Sequence, residues 1–241
     1  MKRYRGFLID ADNTIFDFDR SEREAFYQTI KQFGMVGSKT STKLKEYHEI
    51  YKKINDKIWK ELEEGKITWD KLQIERFKRF FASASIKENI NGVSASDFAK
   101  NYLKNLSEKA YLIPYAREVL DYLSKRADLI LGTNGITIVQ KNRITISGIG
   151  VFFKGIIISE ETGVSKPDPA FFKLAAKKLN LQPSEILVVG DSMTSDITGG
   201  NRAGFDTCLF VRNKTVNNGI EYLEKPTYII HKLTELKGFS P

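Results

Sequence analysis

Short apolar runs of strand length, several closing on a carboxylate or a small polar residue, alternate with helical stretches over much of this 241-residue chain. No other feature limits its possible folds as much. Gly6–Asp10 is the first run; 129–133, 155–159, Ile186–Gly190 and 207–211 follow, and Tyr228–Ile230 is a candidate for a last one. Between them, 115–125, 136–147, Pro169–Leu179 and 194–203 carry apolar residues at helical spacing. Uninterrupted apolar strands belong in a sheet covered on both faces. Strand–helix–strand units dictate parallel pairing. The expected fold class is α/β, a Rossmann-like parallel sheet.

One stretch departs from this pattern. From about Ser21 to Ser107 the apolar residues fall three or four apart, most clearly as Leu44, Tyr47, Tyr51, Ile54, Ile58 and Leu62 on one stripe. Gly65 is expected to end that helix. Thr68 and Asp70 would cap the next, which runs from Trp69 to about Phe81, and Ser96 with Asp97 would open another. The first strand is thereby separated from the rest by a helical insert. The expected domains are an α/β core of residues 1–15 and 111–241 and a helical cap domain of residues 16–110. In open sheets of this kind ligands bind beyond the carboxyl ends of the strands.

Composition narrows the partners. The formal charge is +8, but residues 16–110 hold 19 Lys and Arg against 15 Asp and Glu, so half the surplus lies there and half elsewhere. An excess spread so evenly is not the stripe that a nucleic-acid polymer needs. No run approaches a membrane span, and Met1-Lys2-Arg3-Tyr4-Arg5 leads into a strand without a signal peptide's apolar stretch. The single cysteine, Cys208, allows no internal disulfide and sits in an apolar run, as a buried strand residue would. A reducing cytoplasm is the expected location.

The strand ends carry the chemistry. The first closes on Asp10-Ala11-Asp12-Asn13-Thr14, the second on Thr133-Asn134-Gly135, and the fourth on Gly190-Asp191-Ser192 with Asp196 five residues beyond Asp191. The loop after the third carries Lys166 before Pro167. Each alone is weak: an Asp can merely cap a helix, Thr-Asn-Gly is a common turn, and a Lys-Pro is often an exposed loop. All four at one end of one sheet make a site. Two carboxylates about 4 Å apart repel by roughly 4 kcal/mol at an effective dielectric of about 20. A pocket holding Asp10, Asp191 and Asp196 therefore needs cations. A hard divalent ion such as Mg2+ answers that need, and Lys166 adds a second positive charge. Such a pocket suits a dianionic phosphate.

These residues, as Asp10-x-Asp12-x-Thr14, Thr133, Lys166 and Gly190-Asp191-(x)4-Asp196, resemble the motif set of the haloacid dehalogenase-like hydrolase superfamily. With the insert after the first motif, the resemblance covers nearly the whole chain. It implies that Asp10 is the nucleophile, forming an aspartyl-phosphate, and that Asp12 protonates the leaving oxygen and then activates water. It implies Mg2+ on the Asp10 and Asp191 carboxylates and the Asp12 carbonyl, with Asp196 orienting the metal's waters. Thr133 and the Asn134 amide would hold phosphoryl oxygens, Lys166 would neutralise Asp10 and the phosphate, and Thr14 would stiffen its loop. Dehalogenases of this superfamily lack a carboxylate at the position of Asp12; an alkoxide leaving group requires one.

The segments 158–167 and 190–200, with Asn55, Trp59, 65–68 and Arg76, resemble a bacterial subgroup that removes phosphate from pyrimidine nucleoside 5′-monophosphates. That resemblance implies a small-molecule phosphate monoester as substrate, with Trp59 and Arg76 as candidate contacts. Trp59 is equally placed to fill the helical core, and Arg76 to pair with an acid. Phe16 and Phe18 suit a hinge better than a wall over the sugar. A sugar-phosphate phosphatase or a phosphomutase shares every core residue, and a non-catalytic binding protein is the alternative of another class.

Overall fold

The computed structural model describes residues 2–37, 40–83, 86, 92–212 and 224–241. The chain divides into two compact units, Asp19–Lys109 and the two flanking segments Met1–Phe18 and Ala110–Pro241.

The smaller unit is built from α1 (Phe18–Gln32), α2 (Thr40–Glu63), α3 (Trp69–Ala82) and α4 (Ala95–Ser107). On α2, Leu44, Tyr47, Tyr51 and Ile58 are buried, while Ile54 and Leu62 lie half-buried at the edge of the same stripe. Its core is aromatic: Tyr51 stacks on Phe26 at 4.7 Å between ring centroids and on Phe77 at 5.4 Å. Thr68 takes the extended N-cap conformation, but its hydroxyl makes no capping bond. α4 starts a little earlier than expected because Ser94 caps it, accepting the Asp97 N–H at 3.3 Å.

The larger unit is a six-stranded parallel sheet in the order β3-β2-β1-β4-β5-β6. The strands are β1 (Gly6–Asp10), β2 (Asp128–Thr133), β3 (Gly155–Ile158), β4 (Ile186–Gly190), β5 (Asp206–Phe210) and β6 (Tyr228–Ile230). Period-two alternation sends Phe7, Ile9, Leu129 and Leu131 to one face, against Val119, Leu120 and Leu123 of α5 (Ala116–Ser124). Leu8, Ile130 and Val188 meet Phe171, Phe172 and Ala175 on the other face. Both faces are apolar, which is why β1 reads as one continuous hydrophobic run. The helix α6 (Thr137–Ser147) follows β2, and α7 (Pro169–Leu179) precedes β4.

Register fixes where the site lies. Asp10 pairs with Gly132, so Thr133 is the next residue out, and Ile9 pairs with Val189, so Gly190 ends level with Asp10. The expected helix 194–203 is instead wound wide as a π-helix over Met193–Thr198 before a single α turn, Gly199–Arg202. Wide turns of this kind are frequent at functional sites. Among the described residues no helix is long and apolar enough to cross a membrane.

Candidate active site

β1, β2 and β4 deliver Asp10, Thr133 and Asp191 to one edge of the sheet, and the loop before α7 brings Lys166 back to it. The Lys166 ammonium spends its three protons there: on Asp10 Oδ1 at 2.5 Å, Asp196 Oδ1 at 2.7 Å and the Gly132 carbonyl at 3.2 Å. Asn134 clamps the loop that carries it. Its side-chain amide donates to the Lys166 carbonyl at 2.7 Å and accepts the Lys166 N–H at 2.9 Å. Asp196 accepts the Ser192 N–H at 3.1 Å on its second oxygen. A Cβ on Gly190 would lie 2.2 Å from Asp196 Cγ, so only glycine there lets Asp196 lie against the end of β4.

The charges do not balance. One carboxylate oxygen from each of Asp10, Asp191 and Asp196 lies within 4.8 Å of the others, against one ammonium. Burial pushes the Asp10 carboxyl well above its ordinary range; Lys166 opposes that, and the charges of Asp196, Asp191 and Asp12 add to it. Burial works to lower Lys166, yet Asp10 and Asp196 hold it above its ordinary value, so it stays an ammonium. A site with this surplus of negative charge and oxygen donors fits a hard divalent cation. Asp10 and Asp191 would be its protein carboxylates, since Asp196 is occupied by Lys166 and Ser192.

Sequence reasoning missed two residues. Asp12 Oδ1 accepts from Arg143 Nη1 at 2.6 Å, and Asp12 Oδ2 accepts from Gln140 Nε2 at 2.6 Å. Gln140 Nε2 also donates to Thr133 Oγ1 at 3.2 Å. Both residues are buried on the inner face of α6 beside Val139 and Ile144. The available signal was two polar residues three apart on an otherwise apolar face. Thr14 is buried, and its hydroxyl has no hydrogen-bond partner, so it can stiffen its loop only by packing. Phe16 lies in the sheet's core cluster, and its carbonyl accepts the Asn13 N–H at 2.8 Å.

Trp59 and Arg76 lie in the smaller unit. Trp59 is half-buried and meets Trp69 edge to face at 5.7 Å. Arg76 is buried, 5.0 Å from the ring centroids of Phe77 and Tyr102. It donates to Asn55 Oδ1 at 3.3 Å rather than to an acid, and its Nε and Nη2 have no hydrogen-bond partner.

A parallel sheet interrupted after its first strand by a helical unit, with aspartates and one lysine gathered at the strand ends, defines a haloacid dehalogenase-like hydrolase. Residues 4–204 match that family, and the chain belongs to it. It is 34% identical over 237 residues to the HAD-hydrolase YfnB of Bacillus subtilis, covering 98% of this chain and 95% of that protein. It is 32% identical over 235 residues to the pyrimidine 5′-nucleotidase PynA of Streptococcus pneumoniae, covering 97% and 93%. The crystal structure of magnesium-bound YfnB superposes with a TM-score of 0.83 at 33% identity over 98% of both chains.

Proposed function

We propose that this hydrolase is a magnesium-dependent phosphatase that forms an aspartyl-phosphate on Asp10, and that its substrates are pyrimidine nucleoside 5′-monophosphates. The observation that carries the reaction is the shared ammonium: Lys166 binds Asp10 and Asp196 at once, with Asp191 beside them. The magnesium-bound structure of YfnB and the name of PynA support the metal and the substrate class.

The carboxylates of Asp10 and Asp191 and the Asp12 carbonyl would hold magnesium, which would supply positive charge to offset that of a phosphate dianion. Lys166 contributes a second positive charge and favours the ionised form of Asp10 against the effect of burial. Thr133 and the Asn134 amide hold phosphoryl oxygens, and Asp196 fixes Lys166 and would orient waters on the ion. An Asp10 oxygen attacks phosphorus, and the bond to the leaving oxygen breaks as that oxygen takes the Asp12 proton. Water then attacks the phosphoryl group and gives its proton to Asp12. The Asp10–phosphorus bond breaks, which restores both carboxyl groups and frees inorganic phosphate. In the smaller unit, Arg76 and Trp59 are the residues proposed to read the rest of the substrate, because Arg76 keeps two donors without a partner. The proposed location is the cytoplasm.

Phosphate release with magnesium from UMP, dTMP, AMP and simple sugar phosphates tests this. Faster release from UMP and dTMP is expected. Sugar phosphates preferred by about 10-fold or more would overturn the substrate class, and no release from any monoester would overturn the reaction. Isomerised sugar phosphate without release would identify a mutase.

A further inference from the structure

We propose that Gln140 and Arg143 are positioning residues that lock the Asp12 carboxylate and the Thr133 hydroxyl into one unit, so that proton delivery and phosphoryl binding are aligned together. The inference rests on the roles proposed above for Asp12 and Thr133. It adds two residues of α6 that those roles do not include.

The geometry is specific. A single amide nitrogen, Gln140 Nε2, donates to Asp12 Oδ2 at 2.6 Å and to Thr133 Oγ1 at 3.2 Å. Each proton of that NH2 group therefore has one acceptor. Thr133 Oγ1 accepts from Gln140, which leaves its own proton free for a phosphoryl oxygen. Arg143 Nη1 takes the other Asp12 oxygen at 2.6 Å and sits 3.4 Å from Gln140 Oε1. With both oxygens held, the carboxylate plane cannot rotate, while the second lone pair of each oxygen remains available.

The surroundings are built for this. Arg143 is fully buried, with its guanidinium 4.2 Å from the centroid of Phe16 and 5.7 Å from that of Phe18. Both rings follow the loop that carries Asp12. A Cβ on Gly135 would lie 2.3 Å from Gln140 Nε2, so the turn after Thr133 has to be glycine for this amide to fit. Burying a long cation and an amide costs desolvation and side-chain entropy. A helix facing an apolar core gains nothing from them unless their partners need holding.

The test separates this role from a structural one by the leaving group. A nucleoside leaving as alkoxide needs the Asp12 proton; p-nitrophenolate, a far better leaving group, needs it much less. Single-turnover release with magnesium is measured for wild type, Gln140→Met and Arg143→Met, using UMP and p-nitrophenyl phosphate. Arg143→Met, which removes a donor to Asp12, is expected to slow nucleoside release by about 10-fold or more, with p-nitrophenolate release within about 3-fold of wild type. Gln140→Met, which also releases Thr133, is expected to slow both, nucleoside release by about 10-fold more than p-nitrophenolate release. Arg143→Lys, which keeps a donor, should recover most of the loss. Equal slowing of both leaving groups, or of neither, would overturn the proposal. Should Gln140→Met fail to fold, Gln140→Glu keeps the length and presents no donor to Asp12, and it is judged by the same ratio. Wild-type turnover tests the underlying reaction independently: inert wild type sinks that reading, whereas active wild type with unselective variants sinks only this one.

Discussion

The ammonium of Lys166 donates to Asp10 Oδ1 at 2.5 Å, joining two buried residues 156 positions apart in the sequence. That contact sets the charge balance of the site. Asp10 is pressed towards its neutral form by burial and by three other aspartates, and Lys166 opposes that. As the proposed nucleophile, Asp10 has to be ionised, and the lysine and the proposed divalent ion would act on the same oxygen-rich pocket.

Replacing Lys166 with Met should remove the buried cation that pairs with Asp10 and Asp196. Turnover is expected to fall by about 100-fold or more. Breaking a buried pair also destabilises, by about 3–5 kcal/mol where the remaining charge stays unpaired. Thermal unfolding in chelator should show a lower Tm than wild type, with a larger recovery on adding magnesium. An unchanged Tm and turnover would remove Lys166 from the site.

Asp10→Asn should abolish turnover and leave the fold intact, since the amide keeps the shape and relieves carboxylate repulsion. Circular dichroism and phosphate release check the two halves of this expectation. Unaltered activity would remove the nucleophile assignment.

Gly190→Ala should displace Asp196, because its methyl would sit 2.2 Å from Asp196 Cγ at the end of a buried strand. Overpacking of this kind costs about 1–3 kcal/mol. Magnesium titrations of the variant should show weaker binding as Lys166 and Asp191 lose their neighbour. Wild-type affinity would mean that Asp196 has no part in holding the site.

Chelator should stop the reaction, and magnesium should restore it. Calcium should restore it poorly, because its higher and looser coordination disturbs in-line attack. Phosphate release in excess chelator at the untreated rate would contradict the metal's role.

Alkaline stability should be limited by buried groups that have no proposed part in the chemistry. Burial pushes the Cys208 thiol from 9.0 up to about 12, with Glu235 adding to it. Burial likewise takes Tyr51 from 10.0 to about 12 although Arg76 opposes it. Folded values above unfolded ones give stability that is present below pH 9 and is lost as pH rises towards 12. Each group contributes a slope of about 1.4 kcal/mol per pH unit once the unfolded chain ionises. Denaturant unfolding at pH 8, 9.5 and 11 should show the fall, and Cys208→Ala should reduce the slope from pH 9 upward. A flat profile would mean that these groups are not buried as described.

The sequence by itself determined the elements and their kind. Strands such as Gly6–Asp10 and Ile186–Gly190 are legible because burial on both faces requires an unbroken apolar run, and the helices because α2 repeats its apolar residues every three or four positions. It also put Asp10, Thr133, Lys166 and Asp191 at or beside strand ends, since polar side chains cannot continue such a run. Tertiary structure alone decided which of them share a proton or a charge. Asp196 reaches Lys166 from a turn after β4 that is wound wide, and nothing local announces that winding. Gln140 and Arg143 read as misplaced polar residues until sheet order and register bring Asp12 and Thr133 over α6. Periodicity is set by near neighbours along the chain; pairing is set by strand order, which no short window of sequence contains.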